Sequence, residues 1–424
     1  MKNLKAILDK TQGLSGYRIT ESATASYELF FVHRKLETVR STDTVSCDAT
    51  VYVEHDGKVG DSTFHVYQSM SDEDIAAKVE AAKNRALLMF NEPYKLAPGG
   101  TLEAEIPTNL DKYAPEELGS MIADAVFAAD TLPGGSINAL EIFIYRTVFH
   151  VVNSRGVDKK QTVHRVMIEA IPTFTDEKQS VELYEDYRFT NFDPAKITAE
   201  ISEKLKEAAD RVTAQKLDKE MEINVVLRPE EIGELAYELA WDCNYQTIYS
   251  HANLHTVGDD IQQGSGDKLT ITMKAVVPGS ERSSYFDGDG STLRDTQVIK
   301  DGVVSGSFGS IRFGQYLGIE EPSGALGCLR LEPGTLTDEE LKAEPYIECV
   351  SMSGMQLDTY NDYIGGEIRL AYLHDGDSVK PITGISMSAK LSEVLATLRL
   401  HEKTDIRNAF DGPVKLLLKK VKVL

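Results

Sequence analysis

The chain is poor in cysteine, in long apolar runs and in basic residues, and each shortage excludes a class of protein. Its four cysteines form no Cys-x-x-Cys pair, whereas a secreted disulfide framework uses more cysteines at closer intervals. No run approaches the roughly 18 apolar residues of a membrane-spanning helix, and Met1–Lys5 leads into an amphipathic pattern in place of the apolar core of a signal peptide. We therefore expect a soluble, cytoplasmic protein without membrane contact, in which the free thiols are those of Cys47, Cys243, Cys328 and Cys349.

Acidic residues greatly outnumber basic ones. Lys and Arg total 45 against 67 for Asp and Glu, which gives a formal net charge of −22 at pH 7. A surface of this sign repels phosphate backbones, so nucleic acid is not an expected partner. The basic stretch Lys415–Lys422 is mixed with leucines and is predicted to be a terminal strand with lysine-rich ends.

The first half of the chain contains a helix–strands–helix pattern twice. In the first copy, a helix near residues 3–11 precedes three strands, and Ser71 with Asp74 three residues later predicts the start of a second helix. The predicted strands are Tyr27–Val32, Asp48–Glu54 and Ser62–Tyr67. The buried stripe of the second helix is predicted to comprise Ile75, Val79, Ala82, Ala86 and Met89.

The second copy repeats this order. A helix over Pro115–Asp130 precedes strands, and Asp193 and Pro194 are the cap and first residue expected of a long final helix. The predicted strands are Leu140–Tyr145, Thr147–Asn153 and Val163–Phe174. The final helix is predicted to bury Ile197, Ile201, Leu205, Ala208 and Val212.

The pattern divides the chain into two parts. Residues 1–220 form an N-terminal α+β region with two similar units, about 1–105 and 106–220. In residues 221–424, short strand patterns and glycine turns dominate, with a helix near Pro229–Cys243 among the exceptions. The predicted fold class is α+β: a duplicated helix–strands–helix region followed by a mainly antiparallel, β-rich C-terminal domain.

Four stretches of the C-terminal half resemble the TldD/PmbA (TldE) family, a metallopeptidase family whose members have also been named modulators of DNA gyrase. The first is similar to the family's D-x-E-G-x-x-x-R-x-x-x-L-I-x-x-G-x-L segment, and the others to its A-R-x-L-G, N-L-x-x-x-P-G and G-x-x-x-I-x-x-G…P-V-x-G patterns. In order, these stretches are Tyr285–Gly306, Arg312–Gly318, Leu329–Gly334 and Gly365–Gly384. The N-terminal stretch Val51–Gly60 also resembles the family's V-x-V…D-G-x-x-G pattern.

The resemblance implies a function. Catalytic, TldD-type members carry H-E-x-x-x-H on a helix that follows a strand, and a cysteine near the C-terminus completes their zinc site. They work with a TldE/PmbA-type subunit that lacks these ligands, and the pair cleaves peptides inside an enclosed chamber. The resemblance therefore implies a dimer with peptides or unfolded protein segments as partners.

The zinc motif is degenerate in this chain. Tyr237 stands at the position of the first histidine, Glu238 at that of the glutamate and Asp242 at that of the second histidine. The tail contains no cysteine, and Phe410–Gly412 lies where the cysteine would fall. A hydrolytic zinc site needs three protein ligands and an open position for water, which these residues do not provide. We expect no catalytic residue, no metal and no other cofactor, with a role for Glu238 only if the chain is active.

Two other hypotheses stay open. His251 and His255 are four residues apart and would be neighbours on a helix, so an active metallopeptidase with a non-standard metal site is one alternative. The polar residues around them favour a loop instead. The other alternative is a self-associating peptide-binding protein without an enzymatic partner. The first hypothesis is a non-catalytic TldE/PmbA-like subunit, paired with a TldD-type subunit or forming a homodimer.

Overall fold

The computed structural model describes residues 2–424. Its N-terminal half alternates long strands with helices. In chain order the elements are α1 (Lys2–Lys10), β1 (Gly16–Val32), β2 (Lys35–His55), β3 (Lys58–His65), α2 (Asp72–Ala86), β4 (Gly100–Glu105), α3 (Pro115–Ala128), β5 (Gly135–Asn153), β6 (Val157–Thr175), β7 (Ser180–Glu182), β8 (Glu185–Phe189) and α4 (Pro194–Thr213).

These strands form one eight-stranded sheet. Its order is β3-β2-β1-β5-β6-β4, with β7 and β8 also paired to β6. The two halves of the duplication therefore meet at the antiparallel pair β1–β5. The strands are longer than predicted: Leu140–Tyr145 and Thr147–Asn153 are one strand, because Arg146 and Thr147 stay in register with β1.

The two predicted helices with caps form as expected. Ser71 and Asp74 make a reciprocal capping box at the start of α2, and Asp193 caps α4 by accepting two backbone N–H groups. The residues predicted for the two buried stripes pack beneath the sheet, except Met89 and Val212. Met89 lies beyond the end of α2 and is 48% exposed.

The C-terminal half consists of shorter elements. In chain order they are β9 (Met221–Leu227), α5 (Pro229–Trp241), α6 (Tyr245–Tyr249), β10 (Ile271–Lys274), β11 (Thr296–Lys300), β12 (Val303–Val304), α7 (Ile311–Tyr316), β13 (Cys328–Leu331), α8 (Asp338–Leu341), β14 (Tyr346–Asp358), β15 (Tyr363–Asp375), β16 (Ser378–Ile382), β17 (Ile385–Lys390), α9 (Leu391–Thr397), β18 (Arg399–Leu400), β19 (Thr404–Arg407), β20 (Phe410–Pro413) and β21 (Leu416–Val423).

Two sheets enclose the core of this half. One has the order β12-β11-β10-β13-β20-β19 and the other β14-β9-β21-β17-β15-β16, with mostly antiparallel pairs. Helix α5 packs against both sheets, and its buried residues share one hydrophobic cluster with theirs. The predicted lysine-rich terminal strand is β21, whose leucines are buried. The predicted α+β class with a β-rich C-terminal part is confirmed.

Direct contacts join the two halves. Phe286 of the C-terminal half packs against Val151 and Val157 of the N-terminal sheet. The buried ammonium of Lys159 donates to the Gly290 carbonyl at 2.8 Å. Among the described residues, no helix has the length and apolar character needed to cross a membrane.

Candidate functional site: the helix at the zinc-motif positions

Helix α5 carries the three motif positions. It begins at Pro229, whose fixed φ suits the first helical position, and Glu230 places negative charge at the positive end of the helix. One face, which includes Leu239, is buried in the core. The opposite face points outward and includes Tyr237 and Glu238.

Tyr237 forms part of an exposed aromatic pair. Its ring stacks on that of Trp241 at 5.7 Å, and Trp241 contacts Phe308 edge-on at 6.3 Å. Both members of the pair remain 39% exposed. Burial of the phenol raises the pKa of Tyr237 above its usual value, so the hydroxyl is protonated at neutral pH.

Glu238 is exposed on the same face of α5. Within residues 2–424 its carboxylate makes no hydrogen bond or ion pair. A free carboxylate on a solvent-facing helix turn can accept hydrogen bonds from a ligand, but nothing holds it in one orientation.

Asp242 and His255, which belonged to two different sequence hypotheses, are in contact. One carboxylate oxygen of Asp242, Oδ1, accepts the backbone N–H of Leu254 at 2.6 Å. The other, Oδ2, accepts the backbone N–H of His255 at 3.0 Å and lies 3.0 Å from its Nδ1. Asp242 therefore uses both oxygens to fix the chain that follows α6.

His251 and His255 do not share a helix. Helix α6 ends at Tyr249, and His251 has a φ of 56°, which breaks helical geometry. The expected i, i+4 alignment of the two imidazoles is absent, as the loop interpretation predicted. The side chain of His255 is 38% exposed and is oriented by Asp242.

The stretch at the position of the family's cysteine is also occupied by structural contacts. Phe410 packs over Gly233 of α5, where a Cβ would lie 3.2 Å from the ring. Asp411 pairs with Arg330 at 2.7 Å. This strand therefore lies beside the motif helix, as the resemblance requires, but it offers a paired carboxylate in place of a thiolate.

Metal-binding chemistry has little support in these side chains. No group of three or more His, Cys, Asp or Glu residues in the described part of the chain is arranged to hold a metal ion. Cys243, next to the motif, is buried, and burial raises its pKa to about 12. Its thiol is therefore protonated at neutral pH and is a poor ligand. The residues at the motif positions do not fit zinc.

A cleft of about 650 Å³ lies between α4 and the β19–β20 hairpin. Ion pairs cross it: Lys196 contacts Asp405 at 2.8 Å, and Arg407 contacts Glu200 at 2.8 Å and Glu230 at 3.0 Å. These ion pairs link the two halves of the chain across the cleft. Because the cations are paired, the cleft offers little free charge to a ligand. The sequence did not predict this cleft, because α4 and β19 are far apart in the chain. The one local signal was the alternation of charged residues in β19, where Asp405 and Arg407 are two positions apart.

The fold and these positions can now be compared with known proteins. Residues 220–424 match the family model described as the PmbA/TldA metallopeptidase C-terminal domain. No curated protein matches the chain in sequence.

Solved structures match over the whole chain. TldE from Thermococcus kodakarensis is 15% identical with a TM-score of 0.80, covering 100% of this chain and 99% of that one. Two proteins described as candidate modulators of DNA gyrase also match. The one from Thermotoga maritima is 16% identical (TM-score 0.77, 100% and 99% covered), and the one from Bacteroides thetaiotaomicron is 14% identical (TM-score 0.82, 100% and 98% covered).

At these identities the solved structures establish a shared fold, and the family model adds the match in sequence. Together they identify residues 220–424 as a C-terminal domain of the TldD/PmbA family, within a chain that shares the fold of these solved structures over its whole length.

Proposed function

We propose that the chain is a non-catalytic, TldE/PmbA-like subunit of a cytoplasmic TldD/TldE-type metallopeptidase. In this role it encloses unfolded peptide for a TldD-type partner that carries the zinc. The observation that supports the proposal most strongly is the use of Asp242, at a motif position, as a backbone anchor.

The chemistry at the motif supports this role. Tyr237 is a neutral phenol stacked on an indole, and Asp242 is committed to two backbone N–H groups and an imidazole. Without a metal, no group lowers the pKa of water toward neutrality, so Glu238 has no activated nucleophile to serve. We therefore expect no catalytic residue in this chain.

The exposed face of α5 supplies contacts that suit a peptide. The aromatic pair Tyr237–Trp241 offers apolar area, and Glu238 offers hydrogen-bond acceptors beside it. Peptides of varied sequence are commonly held by backbone pairing along a strand edge, with side-chain pockets of low selectivity. The subunit would bind many unfolded segments by such backbone pairing, with the aromatic pair and Glu238 on α5 adding side-chain contacts of low selectivity. Its net charge of −22 argues against direct contact with DNA.

The test combines metal analysis with peptide cleavage. The purified chain is assayed for zinc and for hydrolysis of an unfolded peptide, alone and with a TldD-type partner. We expect less than a tenth of an equivalent of zinc and no cleavage alone, and cleavage with the partner that exceeds the partner's own. Chelator-sensitive cleavage by the chain alone would contradict the proposal.

A second candidate is an active metallopeptidase that uses His255. The Asp242–His255 contact favours it, since a carboxylate often orients a metal-binding histidine through its other ring nitrogen. The variant His255→Ala separates the two functions. If the second candidate holds, this change removes bound zinc and activity; under the first, the assembled enzyme keeps its activity. Self-association without an enzymatic partner is the third possibility, and the mixing assay distinguishes it.

A further inference from the structure

The N-terminal sheet has one face that its helices do not cover. Side chains alternate between the two faces of a strand, and Ile144 and Ile168 share a hydrophobic cluster with residues of α3 and α4 on the covered face. Tyr145 and Arg165 lie directly opposite each other in the β5–β6 ladder and point to the other face. We call this other face the open face of the sheet.

Aromatic and apolar side chains surround Tyr145 on the open face. The Phe143 ring is parallel to that of Tyr145 at 6.2 Å, and Phe30 of β1 contacts Phe143 edge-on at 5.7 Å. Met167 lies opposite Phe143 and two positions after Arg165 in β6. These four side chains, Phe30, Phe143, Tyr145 and Met167, form an apolar floor, and the guanidinium of Arg165 lies at its border.

Arg165 stacks on Tyr145 and has no acidic partner. Its guanidinium carbon lies 4.9 Å from the centre of the Tyr145 ring. Within residues 2–424 the guanidinium makes no hydrogen bond or ion pair, and its Nε is buried without an acceptor. The Tyr145 hydroxyl has no hydrogen-bond partner among these residues either. Stacking orients the planar guanidinium and leaves its outer N–H groups free to donate.

The other arginines on the open face of these strands all have acidic partners. The pairs are Arg18–Asp289, Arg40–Glu28 and Arg188–Asp186, and Arg188 also contacts Glu281 of the C-terminal half. Glu169 is four positions from Arg165 along β6, which is roughly 13 Å. Arg165 therefore carries a positive charge that no described residue neutralises, in a chain whose net charge is −22.

A carboxylate attached to an apolar residue fits these groups. The N–H groups of a guanidinium match the two oxygens of a carboxylate, and the Tyr145 hydroxyl can donate a further hydrogen bond. The apolar floor can receive a side chain on the residue that bears the carboxylate. The C-terminus of a peptide has this combination, because its carboxylate and its last side chain share one Cα atom.

The open face continues from Arg165 to the C-terminal half. Four positions earlier in β6, the Gln161 amide donates to Ser284 Oγ at 2.7 Å. On the neighbouring strand, Phe149 stacks on Phe286 at 5.9 Å. A peptide that is anchored at Arg165 and extended along the open face in this direction would run toward the C-terminal half.

We propose that Arg165 and Tyr145 bind the C-terminal carboxylate of the unfolded peptide that this subunit encloses, and that the apolar floor receives its last side chain. The proposal rests on the proposed function in one respect, that the ligand is a peptide. The anchor would hold one end of the peptide, while backbone pairing elsewhere accepts its varied sequence.

Fluorescence anisotropy with three labelled peptides tests the choice of ligand. The probe is a short glycine- and serine-rich peptide ending in phenylalanine, made as the free acid, as the C-terminal amide, and as the amide with one internal glutamate. We expect the free acid to bind at least roughly tenfold more tightly than either amide. Equal affinities of the free acid and the amide would overturn the proposal. Recovery of full affinity by the internal glutamate would also overturn it, because the site would then accept any carboxylate.

Variants at two arginines test the anchor itself. Arg165→Gln should weaken binding of the free acid at least roughly tenfold and leave binding of the amide unchanged, whereas Arg165→Lys, which keeps the charge without the fork of donors, should recover only part of the loss. Arg146→Gln is the matched control, since Arg146 is exposed and unpaired on the covered face, next to Tyr145 in sequence. Unchanged thermal unfolding would show that the variants are folded. Equal losses in Arg165→Gln and Arg146→Gln would refute the anchor.

These measurements separate the anchor from the proposed function. If the chain binds the free acid and the amide equally, the peptide-enclosing role stands and the anchor alone is wrong. If none of the three peptides binds, with or without a TldD-type partner and with chelator present to prevent cleavage, both proposals are wrong.

Discussion

The two halves build their sheets in opposite ways. In the N-terminal half, β1–β2 and β5–β6 are hairpins of strands adjacent in sequence, and the helices cover one face in separate clusters. In the C-terminal half, β9 lies between β14 and β21, which come from far along the chain. There, α5 and both sheets share one core. From this difference we expect substitutions to be tolerated at exposed positions of the N-terminal half and poorly tolerated inside the C-terminal core.

The largest expected effect lies where the two halves join. Arg228 contacts Glu207 of α4 at 2.9 Å and Glu348 of β14 at 3.0 Å, and the Glu207 side chain is 1% exposed. Arg228→Ala would remove the cation that two buried carboxylates share, leaving Glu207 with Lys204 alone and Glu348 with His374 alone. We therefore expect a loss of about 3–5 kcal/mol in unfolding free energy. Urea denaturation measures it. The exposed pair Lys35–Glu37 is the control, and Lys35→Ala should change stability by under about 0.5 kcal/mol. Equal losses of unfolding free energy in Arg228→Ala and Lys35→Ala would contradict the expected difference between buried and exposed ion pairs.

A cavity in the C-terminal core should come next. Leu418 of the central strand β21 is fully buried, and Leu418→Ala is expected to cost about 2–5 kcal/mol through lost burial and the void left behind. Val32→Ala, at a 52% exposed position of the N-terminal sheet, is expected to cost under about 0.5 kcal/mol. Thermal unfolding of Leu418→Ala and Val32→Ala measures both effects. Similar shifts in Tm would contradict the expected difference between the C-terminal core and the N-terminal sheet.

The third effect depends on pH. Burial raises the pKa of Glu231, at the start of α5, to about 7 from an ordinary 4.5. The folded state then holds a proton that the unfolded state releases, so this group lowers stability as pH rises from about 4.5 to 7, by up to about 3 kcal/mol. Glu231→Gln should be more stable than the unmodified protein at pH 8 and nearly equal at pH 4.5. Urea denaturation of both proteins at both pH values measures the difference in unfolding free energy. A stability gain of Glu231→Gln that does not increase with pH would contradict the prediction.

The smallest effect should be a helix cap in the N-terminal half. The Ser71 hydroxyl accepts the backbone N–H of Asp74 at 3.1 Å on an exposed turn. Ser71→Ala should cost about 1 kcal/mol, and Ser71→Thr, which keeps the hydroxyl, should cost less. Chemical denaturation distinguishes the two variants. A loss as large as that of Leu418→Ala would show that this half is as intolerant as the other.

Local signals predicted the elements that local interactions stabilise. The sequence predicted the helix caps at Ser71 and Asp193 and the buried stripe of α4, because caps and helical spacing involve residues only a few positions apart. The sequence predicted strand lengths less well. Arg146 and Thr147, for example, are extended because they pair with β1. Pairing partners set strand limits, and a single sequence does not display them.

The candidate site shows the same limit. The motif alignment placed Tyr237 and Glu238 on a helix, but it did not predict that both are exposed, because their side of the helix is fixed only by the burial of Leu239. The contact between Asp242 and His255 did not follow, since it depends on how the chain turns after α6. The ion pairs of Arg407 across the cleft were invisible for a similar reason: they join segments that approach only in the complete fold.

The placement of β9 between β14 and β21 has a consequence for biosynthesis. Leu227 of β9 pairs with Leu416, a residue that the ribosome adds roughly 190 positions later, which takes about 10 to 40 seconds at ordinary translation rates. During that interval the apolar faces of β9 and α5 have no permanent cover, so the nascent C-terminal half is a natural client for holding chaperones while the N-terminal hairpins can already fold.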